Sequence, residues 1–182
     1  MDKLIVFCLL SIPVFFLSLK SLSSYKNHGF YRFFSWECIL WLLVSNYKFW
    51  LDDPLSPGQV ISWILLFASI WYVVSGSILM KKYGKAMQDR DREALFGFEK
   101  TTELIDFGIF KYIRHPLYGS LIWLTWGIFL KNITGSLLLV AVVSTLFLYL
   151  TARVDEQECI QYFGEKYQTY MKRTKMFVPF LF

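Results

Sequence analysis

Several features common in soluble proteins are missing from this chain of 182 residues. The cysteines, Cys8, Cys38 and Cys159, show no CxxC spacing, which argues against a disulfide framework and against a zinc knuckle. No Gly-x-Gly-x-x-Gly run is present, which argues against a soluble Rossmann cofactor site. Internal repeats and low-complexity tracts are also absent, so we interpret residues 1–182 as one domain with no predicted metal site.

The residues that are present are mostly apolar. Hydrophobic residues make up 55% of the chain, aromatic residues 20% and charged residues only 18%. This composition indicates a membrane protein rather than a soluble globular domain. The net charge of +5 could suggest nucleic acid, but Lys and Arg sit beside long apolar runs, where they set topology and contact anionic lipids. We therefore predict a lipid bilayer as a partner and no nucleic acid.

Five apolar segments are candidates for spanning the bilayer, which requires roughly 20 residues at about 1.5 Å per residue. They cover residues 4–19, 30–50, 57–80, 116–130 and 133–152. The predicted fold class is all-α: a polytopic membrane protein with about five transmembrane helices and a carboxy-terminal amphipathic cytoplasmic helix. Residues 1–80 would supply the amino-terminal spans, and residues 81–182 a core with a helical hairpin and a tail.

Basic residues in short loops favour the cytoplasm, and they are concentrated between residues 81 and 115. The opposite loop is acidic at Asp52 and Asp53. We therefore expect a cytoplasmic middle loop, an external amino terminus and a cytoplasmic carboxy terminus, in a bacterial or archaeal cell membrane or, in a eukaryote, the endoplasmic reticulum. The basic residues are Lys81, Lys82, Lys85, Arg90, Arg92, Lys100, Lys111 and Arg114.

A first polar motif precedes the fourth apolar segment, at Arg114-His115-Pro116-Leu117-Tyr118. Proline lacks an N–H and suits the first turn of a helix, so Pro116 is predicted to begin that segment. Arg114 and Tyr118 taken singly are typical of a membrane anchor and an aromatic belt. Together with a titratable imidazole at one membrane boundary, they indicate a binding site.

A second polar motif, Arg153-Val154-Asp155-Glu156, follows the fifth apolar segment. We predict that it opens a separate amphipathic helix extending through Tyr170. Carboxylates in a first helical turn complement the helix dipole, which is the simplest role for Asp155 and Glu156. Placed opposite the Arg-His motif, they would instead form a polar cleft roofed by aromatic rings, suited to a cationic small molecule with an apolar body.

The two motifs together resemble the isoprenylcysteine carboxyl methyltransferase and phospholipid methyltransferase superfamily of integral membrane enzymes. The resemblance covers roughly residues 101–182. It includes Gly108-Ile109-Phe110, the Arg-His-Pro-x-Tyr run, the acid pair, the segment Phe163-Gly164-x-x-Tyr167-x-x-Tyr170, and Pro179.

This resemblance implies S-adenosylmethionine as cofactor and methyl transfer to a small or lipophilic acceptor at the cytoplasmic membrane face. By similarity, the catalytic residues would be Arg153 and Glu156. The residues implied for cofactor binding are Thr102, Glu103, Leu104, Ile105, Phe110, His115, Pro116, Leu117, Tyr118, Asp155 and Glu156.

This chain departs from the superfamily pattern at one position that bears on the methyl acceptor. Prenylcysteine enzymes of this superfamily carry an Arg four residues before the acid pair, where this chain has Thr151. Positions 151 and 153 face different directions on a helix, so Arg153 replaces that cation only if the helix turns or begins late.

Two other functions remain open on the sequence. A nicotinamide-dependent membrane reductase of the sterol or steroid type has a related carboxy-terminal pattern, but the acid pair disfavours a phosphate-rich cofactor. A non-enzymatic scaffold or transport subunit would use its polar residues only to stabilise helix interfaces. The acceptor and the oligomeric state are not specified by the sequence.

Overall fold

The computed structural model describes residues 2–84 and 101–180. Within these residues the regular structure consists of six α-helices and two short 3₁₀ turns at Tyr47–Phe49 and Gly108–Lys111, without β-strands. Lys85, Arg90, Arg92 and Lys100 of the predicted basic loop lie outside the described residues. The helices are α1 Lys3–Leu22, α2 His28–Asn46, α3 Pro57–Tyr83, α4 Pro116–Phe129, α5 Gly135–Phe163 and α6 Glu165–Arg173.

In the described part of the chain, three helices are long and apolar enough to cross a membrane: α1, α3 and α5. Three of the five predicted spans thus correspond to helices that are able to cross a membrane. α2 has 19 residues and includes Arg32 and Glu37, and α4 has only 14 residues, which corresponds to about 21 Å of helix. Spanning by α2 and α4 therefore stays a prediction.

The turn chemistry of the α4–α5 hairpin follows from its sequence. Pro116 begins α4, as predicted, because the first helical position tolerates a missing N–H. α5 starts after Thr134, whose hydroxyl accepts a hydrogen bond from the backbone N–H of Leu137 at 3.4 Å. The intervening residues 130–134 form the short connection of the predicted helical hairpin.

The predicted start of a separate helix at Arg153 is wrong. α5 continues without a break from Gly135 to Phe163, because residues 152–163 contain neither Gly nor Pro. The helix ends at Gly164, whose φ of +60° is a conformation that other residues rarely adopt. Asp155 and Glu156 are thus inside a long helix, and their first-turn role in complementing a helix dipole does not apply.

Small and polar residues bring the helices together. Ser35 on α2 and Ser144 on α5 place their hydroxyl oxygens 3.0 Å apart in a buried contact. On α4, a Cβ added at Gly127 would lie 2.9 Å from the side chain of Leu66 on α3, so glycine allows these two helices to pack closely. α1 packs along α2, where the hydroxyl of Ser11 donates to Glu37 at 2.6 Å.

The tail after α6 returns to the segment that leads into α4. The backbone N–H of Lys175 donates to Tyr112 O at 2.9 Å, and that of Arg114 donates to Lys175 O at 2.8 Å. These bonds form a short parallel bridge between Ile113 and Lys175. The bridge fixes Arg114 and His115 beside the carboxy-terminal end of the chain.

Candidate functional site

A cavity lies where the end of α3, the start of α4, the second half of α5 and α6 meet. It contains about 700 Å³ of empty space, a volume that includes solvent at its open mouth. Its walls are mainly apolar and aromatic. The lining residues are Met80, Thr101, Glu103, Leu104, Ile105, Phe110, Arg114, His115, Pro116, Leu117, Tyr118, Asp155, Cys159, Phe163, Tyr167 and Tyr170.

Most of the predicted cofactor residues line this one cavity. They come from the segment 103–110, from the motif at 115–118 and from Asp155. Thr102 and Glu156 do not line it, and neither does Arg153. The structure therefore brings the two polar motifs to one place, with Asp155 at the cavity wall and Glu156 behind it.

Glu156 is bound to the first motif by a buried ion pair. Its Oε1 accepts from Arg114 Nε at 2.8 Å and lies 2.7 Å from Arg114 Nη2. Arg114 also donates through Nη1 to the carbonyl oxygens of Met171 and Thr174 at the end of α6. The Arg114 guanidinium thus joins α5 and the tail to the segment that leads into α4, and its donors are largely satisfied.

His115 lies between the same two carboxylates. Its Nδ1 is 3.4 Å from Asp155 Oδ2, and its Nε2 is 3.6 Å from Glu156 Oε1. Burial lowers the pKa of His115, but the interactions with Asp155 and Glu156 raise that pKa above its ordinary value. The imidazole also stacks on Tyr118, with ring centroids 5.4 Å apart.

Two tyrosines of α6 form part of the cavity wall. Tyr167 and Tyr170 are buried at a spacing of three residues, while the charged residues of α6 face outward. The hydroxyl of Tyr170 donates to Phe110 O at 2.7 Å, which ties α6 to the segment before α4. Burial raises the pKa of both phenols well above the ordinary value, so both rings stay neutral.

Arg153 does not take the place of a cation at position 151. The helix is continuous through both positions, so their side chains face different directions. Thr151 is completely buried, whereas the side chain of Arg153 is 53% exposed and its Nη1 lies 3.8 Å from Glu156 Oε2.

The predicted cofactor residues leave out four lining residues on α5 and α6, namely Cys159, Phe163, Tyr167 and Tyr170. Cys159 and Phe163 follow Asp155 at successive intervals of four residues, so they share its face of the continuous helix. This four-residue spacing can be recognised in the sequence once α5 is known to extend to Phe163. His28 and Glu158, which pair beside the cavity, were also missed. Their proximity depends on α2 meeting α5 and has no local sequence signal.

The family model for phospholipid methyltransferase matches residues 58–167, a range that contains α3 except its first residue, both motifs and Tyr167. The chain belongs to the phospholipid methyltransferase family. This confirms the resemblance drawn from the two motifs. With α1, α3 and α5, it also identifies the chain as an integral membrane protein.

Curated relatives of this family member are named methanethiol S-methyltransferases. One from Crocosphaera subtropica is 28% identical over 135 residues, covering 72% of this chain and 51% of the relative. One from Pseudomonas deceptionensis is 30% identical over 73 residues, covering 40% and 27% respectively. Methanethiol S-methyltransferase 1 of Bradyrhizobium diazoefficiens is 31% identical over 71 residues, covering 39% and 24%.

The aligned regions thus span between about a quarter and a half of these relatives' lengths. No solved structure gives a significant match. The family and the names of the relatives do not favour the reductase and scaffold alternatives.

Proposed function

We propose that the chain is a methyltransferase that uses S-adenosylmethionine to methylate a small or lipophilic acceptor at the cytoplasmic membrane face. The observation that carries the proposal is the cavity formed by the two motifs, with aromatic walls and the Asp155 carboxylate at its surface. Membership of the phospholipid methyltransferase family supports it. The full set of five spans, the external amino terminus and the cytoplasmic carboxy terminus belong to the same proposal.

The residues of the cavity fit the cofactor's chemistry. The cofactor carries a sulfonium and an ammonium, which favour carboxylates and aromatic faces. Asp155 and Glu103 supply carboxylates, and Phe110, Tyr118 and Tyr167 supply rings. Its adenine needs a flat apolar slot, for which the apolar side chains of segment 104–110 are suited. Thr102 neighbours these residues without lining the cavity.

When bound, the cofactor supplies an activated methyl group on sulfur. The protein's part is to align this methyl with the acceptor and to exclude water, which requires no covalent enzyme nucleophile. Tyr118, Tyr167 and Tyr170 are buried and contribute aromatic surface to the cavity wall, which favours exclusion of water around a bound cofactor. Glu156 acts indirectly, by holding Arg114 and His115 in place, and Arg153 has no direct role in our proposal.

A thiol is the acceptor class that the comparisons favour. The curated relatives are named for methanethiol, and the chain lacks the Arg before the acid pair that would meet a prenylcysteine carboxylate. Arg153 does not replace this Arg, because it is exposed and faces away from position 151. We therefore propose a neutral thiol rather than a carboxylate as the methyl acceptor.

The test is incubation of purified protein with isotopically labelled S-adenosylmethionine and separate acceptors: methanethiol, longer alkyl thiols and lipid extract. Mass spectrometry then identifies any labelled product. We expect labelled thioethers from the thiols, and less of them from the Asp155→Ala variant when S-adenosylmethionine is below saturation. Labelled lipid with no labelled thioether would show that the acceptor is a lipid rather than a thiol. No labelled product from any acceptor in well-folded protein would refute the proposed activity.

A further inference from the structure

A second cavity lies between the connection from α1 to α2 and the second half of α5. It contains about 1280 Å³ of empty space, a volume that includes solvent at its open mouth, and it shares no lining residue with the cavity described above. The proposed methyl transfer gives this second cavity no role. Its lining residues are Tyr25, Lys26, Asn27, Tyr31, Val154, Gln157, Glu158 and Gln161.

A defined turn brings a cation and an amide to the wall of the second cavity. The hydroxyl of Ser24 accepts from the backbone N–H of Lys26 at 3.3 Å, and the carbonyl oxygen of Ser24 accepts from the N–H of Asn27 at 3.1 Å. Asn27 precedes the first residue of α2, but its side chain makes no capping hydrogen bond to that helix. The turn therefore presents Lys26 and Asn27 to the cavity rather than to the helix.

Hydrogen-bond donors dominate the polar lining of the second cavity. Lys26 supplies an ammonium group, and phenols and side-chain amides supply further donors. Glu158 is the one carboxylate among the lining residues, and its side chain is only 8% exposed. Its Oε1 accepts from the backbone N–H of His28, and its Oε2 lies 3.2 Å from the ring Nδ1 of His28. A wall with many donors, one cation and little exposed carboxylate favours an anion.

The second cavity lies at the end of a helix that faces lipid. α1 is able to cross a membrane, and only 11% of its most apolar 18 residues are buried in the protein. Leu17 and Leu19, near its end, are 63% and 44% exposed. α1 ends at Leu22, shortly before Tyr25 and Lys26, and both Tyr and Lys are typical of the membrane–water boundary. A lipid with its acyl chains along α1 can therefore reach the cavity with its head group.

We propose that the second cavity binds the phosphate head group of an anionic phospholipid, and that Lys26 is the cation that contacts the phosphate. Choline and ethanolamine lipids fit less well, because the lining residues offer no well-exposed carboxylate for an ammonium group. One lysine at an anionic lipid surface contributes about 5-fold in affinity. This site is separate from the proposed methyl transfer and does not depend on it.

The test compares two lipids with identical acyl chains, phosphatidylglycerol and phosphatidylcholine, in native mass spectrometry of delipidated protein. Wild-type protein should bind phosphatidylglycerol about 5-fold more tightly than phosphatidylcholine. Lys26→Gln should lower the affinity for phosphatidylglycerol about 5-fold and leave that for phosphatidylcholine unchanged. Lys166→Gln, which removes an exposed lysine of α6 outside this cavity, is the matched control and should bind both lipids as wild type does.

A second pair of variants tests the cavity itself. Gln157→Trp places a large ring in the cavity at an exposed position, so the fold should be retained while tight binding of phosphatidylglycerol is lost. Gln168→Trp makes the same change at an exposed position of α6 that lines neither cavity, and it should bind the lipid as wild type does. Thermal unfolding checks that the variants are folded. If Gln157→Trp fails to fold, Lys26→Gln decides.

Photo-cross-linking locates the lipid and separates it from free phosphate. Phosphatidylglycerol with a photoreactive head group should label peptides from residues 23–31 and 154–161. Excess unlabelled phosphatidylglycerol should remove this label. Inorganic phosphate should not, because it lacks the acyl chains that would lie along α1.

Equal affinities for the two lipids in wild-type protein, or equal losses in Lys26→Gln and Lys166→Gln, would overturn this inference. Label confined to other parts of the chain would also overturn it. Complete displacement by inorganic phosphate would show that the ligand is a free phosphate rather than a lipid. Protein that binds phosphatidylglycerol in this way but transfers no methyl group would refute the proposed function and leave this inference intact.

Discussion

Arg114 and Glu156 form an ion pair across 42 residues of sequence, with Nη2 and Oε1 2.7 Å apart and side chains only 10% and 3% exposed. This pair joins the two polar motifs, since one precedes α4 and the other lies within α5. Removing one member of a buried pair leaves the other charge without compensation.

We therefore predict that Glu156→Ala lowers the free energy of unfolding by about 3–5 kcal/mol. The measurement is thermal unfolding in detergent. Glu165→Ala, which removes an exposed glutamate at the start of α6, is the matched control and should change stability by about 0.5 kcal/mol or less. Equal melting temperatures for the two variants would show that the ion pair does not stabilise the fold.

A second prediction concerns the charge at the cavity wall. Asp155→Asn removes a carboxylate that lines the cavity and keeps the size of the side chain. The affinity for S-adenosylmethionine should fall about 10-fold, which corresponds to about 1.4 kcal/mol. The affinity for S-adenosylhomocysteine, which lacks the sulfonium, should fall less.

Calorimetric titration of both ligands measures this difference. Asp52→Asn makes the same change in an exposed loop away from the cavity and should leave both affinities unchanged. An equal loss for the two ligands in Asp155→Asn would mean that Asp155 does not recognise the sulfonium.

A third prediction concerns pH. The raised pKa of His115 places its titration above the ordinary value of 6.5. Below this raised pKa, the imidazolium offsets part of the negative charge of Asp155 and Glu156, and Arg114 offsets more. As the pH rises through the raised pKa, His115 loses its proton and the cavity becomes more negative. The stabilisation that the protonated ring gives the fold is lost over the same range.

S-adenosylmethionine should therefore bind more tightly as pH rises above 6.5, and S-adenosylhomocysteine should respond less. Both ligands carry the same ammonium and carboxylate groups. The difference between their pH-dependent affinities therefore reports the contribution of the sulfonium. His115→Gln should abolish that difference in pH response. A persistent difference in the variant would assign the effect to another group.

A fourth prediction tests the close packing of α3 and α4. Gly127→Ala places a Cβ 2.9 Å from Leu66, and overpacking of this kind costs about 1–3 kcal/mol. Gly135→Ala is the matched control, because a Cβ there meets no atom within 4 Å. Thermal unfolding of both variants should show a loss for Gly127→Ala alone. A comparable loss for Gly135→Ala would contradict a packing effect.

The sequence predicts which residues meet at the cavity better than it predicts the helix boundaries. Most of the predicted cofactor residues line one cavity, because the two motifs are short and each keeps its neighbours together. The start of α4 follows from Pro116, whose conformational restriction is a local property. The end of α5 was misplaced because a change from apolar to charged residues at Arg153 does not break a helix, whereas Gly164 does.

Long-range partners lie beyond such reasoning. His28 contacts Glu158 across 130 residues, and neither residue belongs to a recognisable motif. A histidine at the start of a helix gives no local sign of whether it faces lipid, water or another helix. Its pairing with Glu158 becomes visible only when the packing of α2 against α5 is known.

The most direct test of the central claim, that the two motifs bind a positively charged methyl donor between them, is ultraviolet cross-linking of isotopically labelled S-adenosylmethionine. Peptide mass spectrometry then locates the label. We predict label in peptides from residues 101–118 and 155–170, removed by an excess of S-adenosylhomocysteine. Label confined to α1 and α2, or label that S-adenosylhomocysteine does not displace, would contradict this claim.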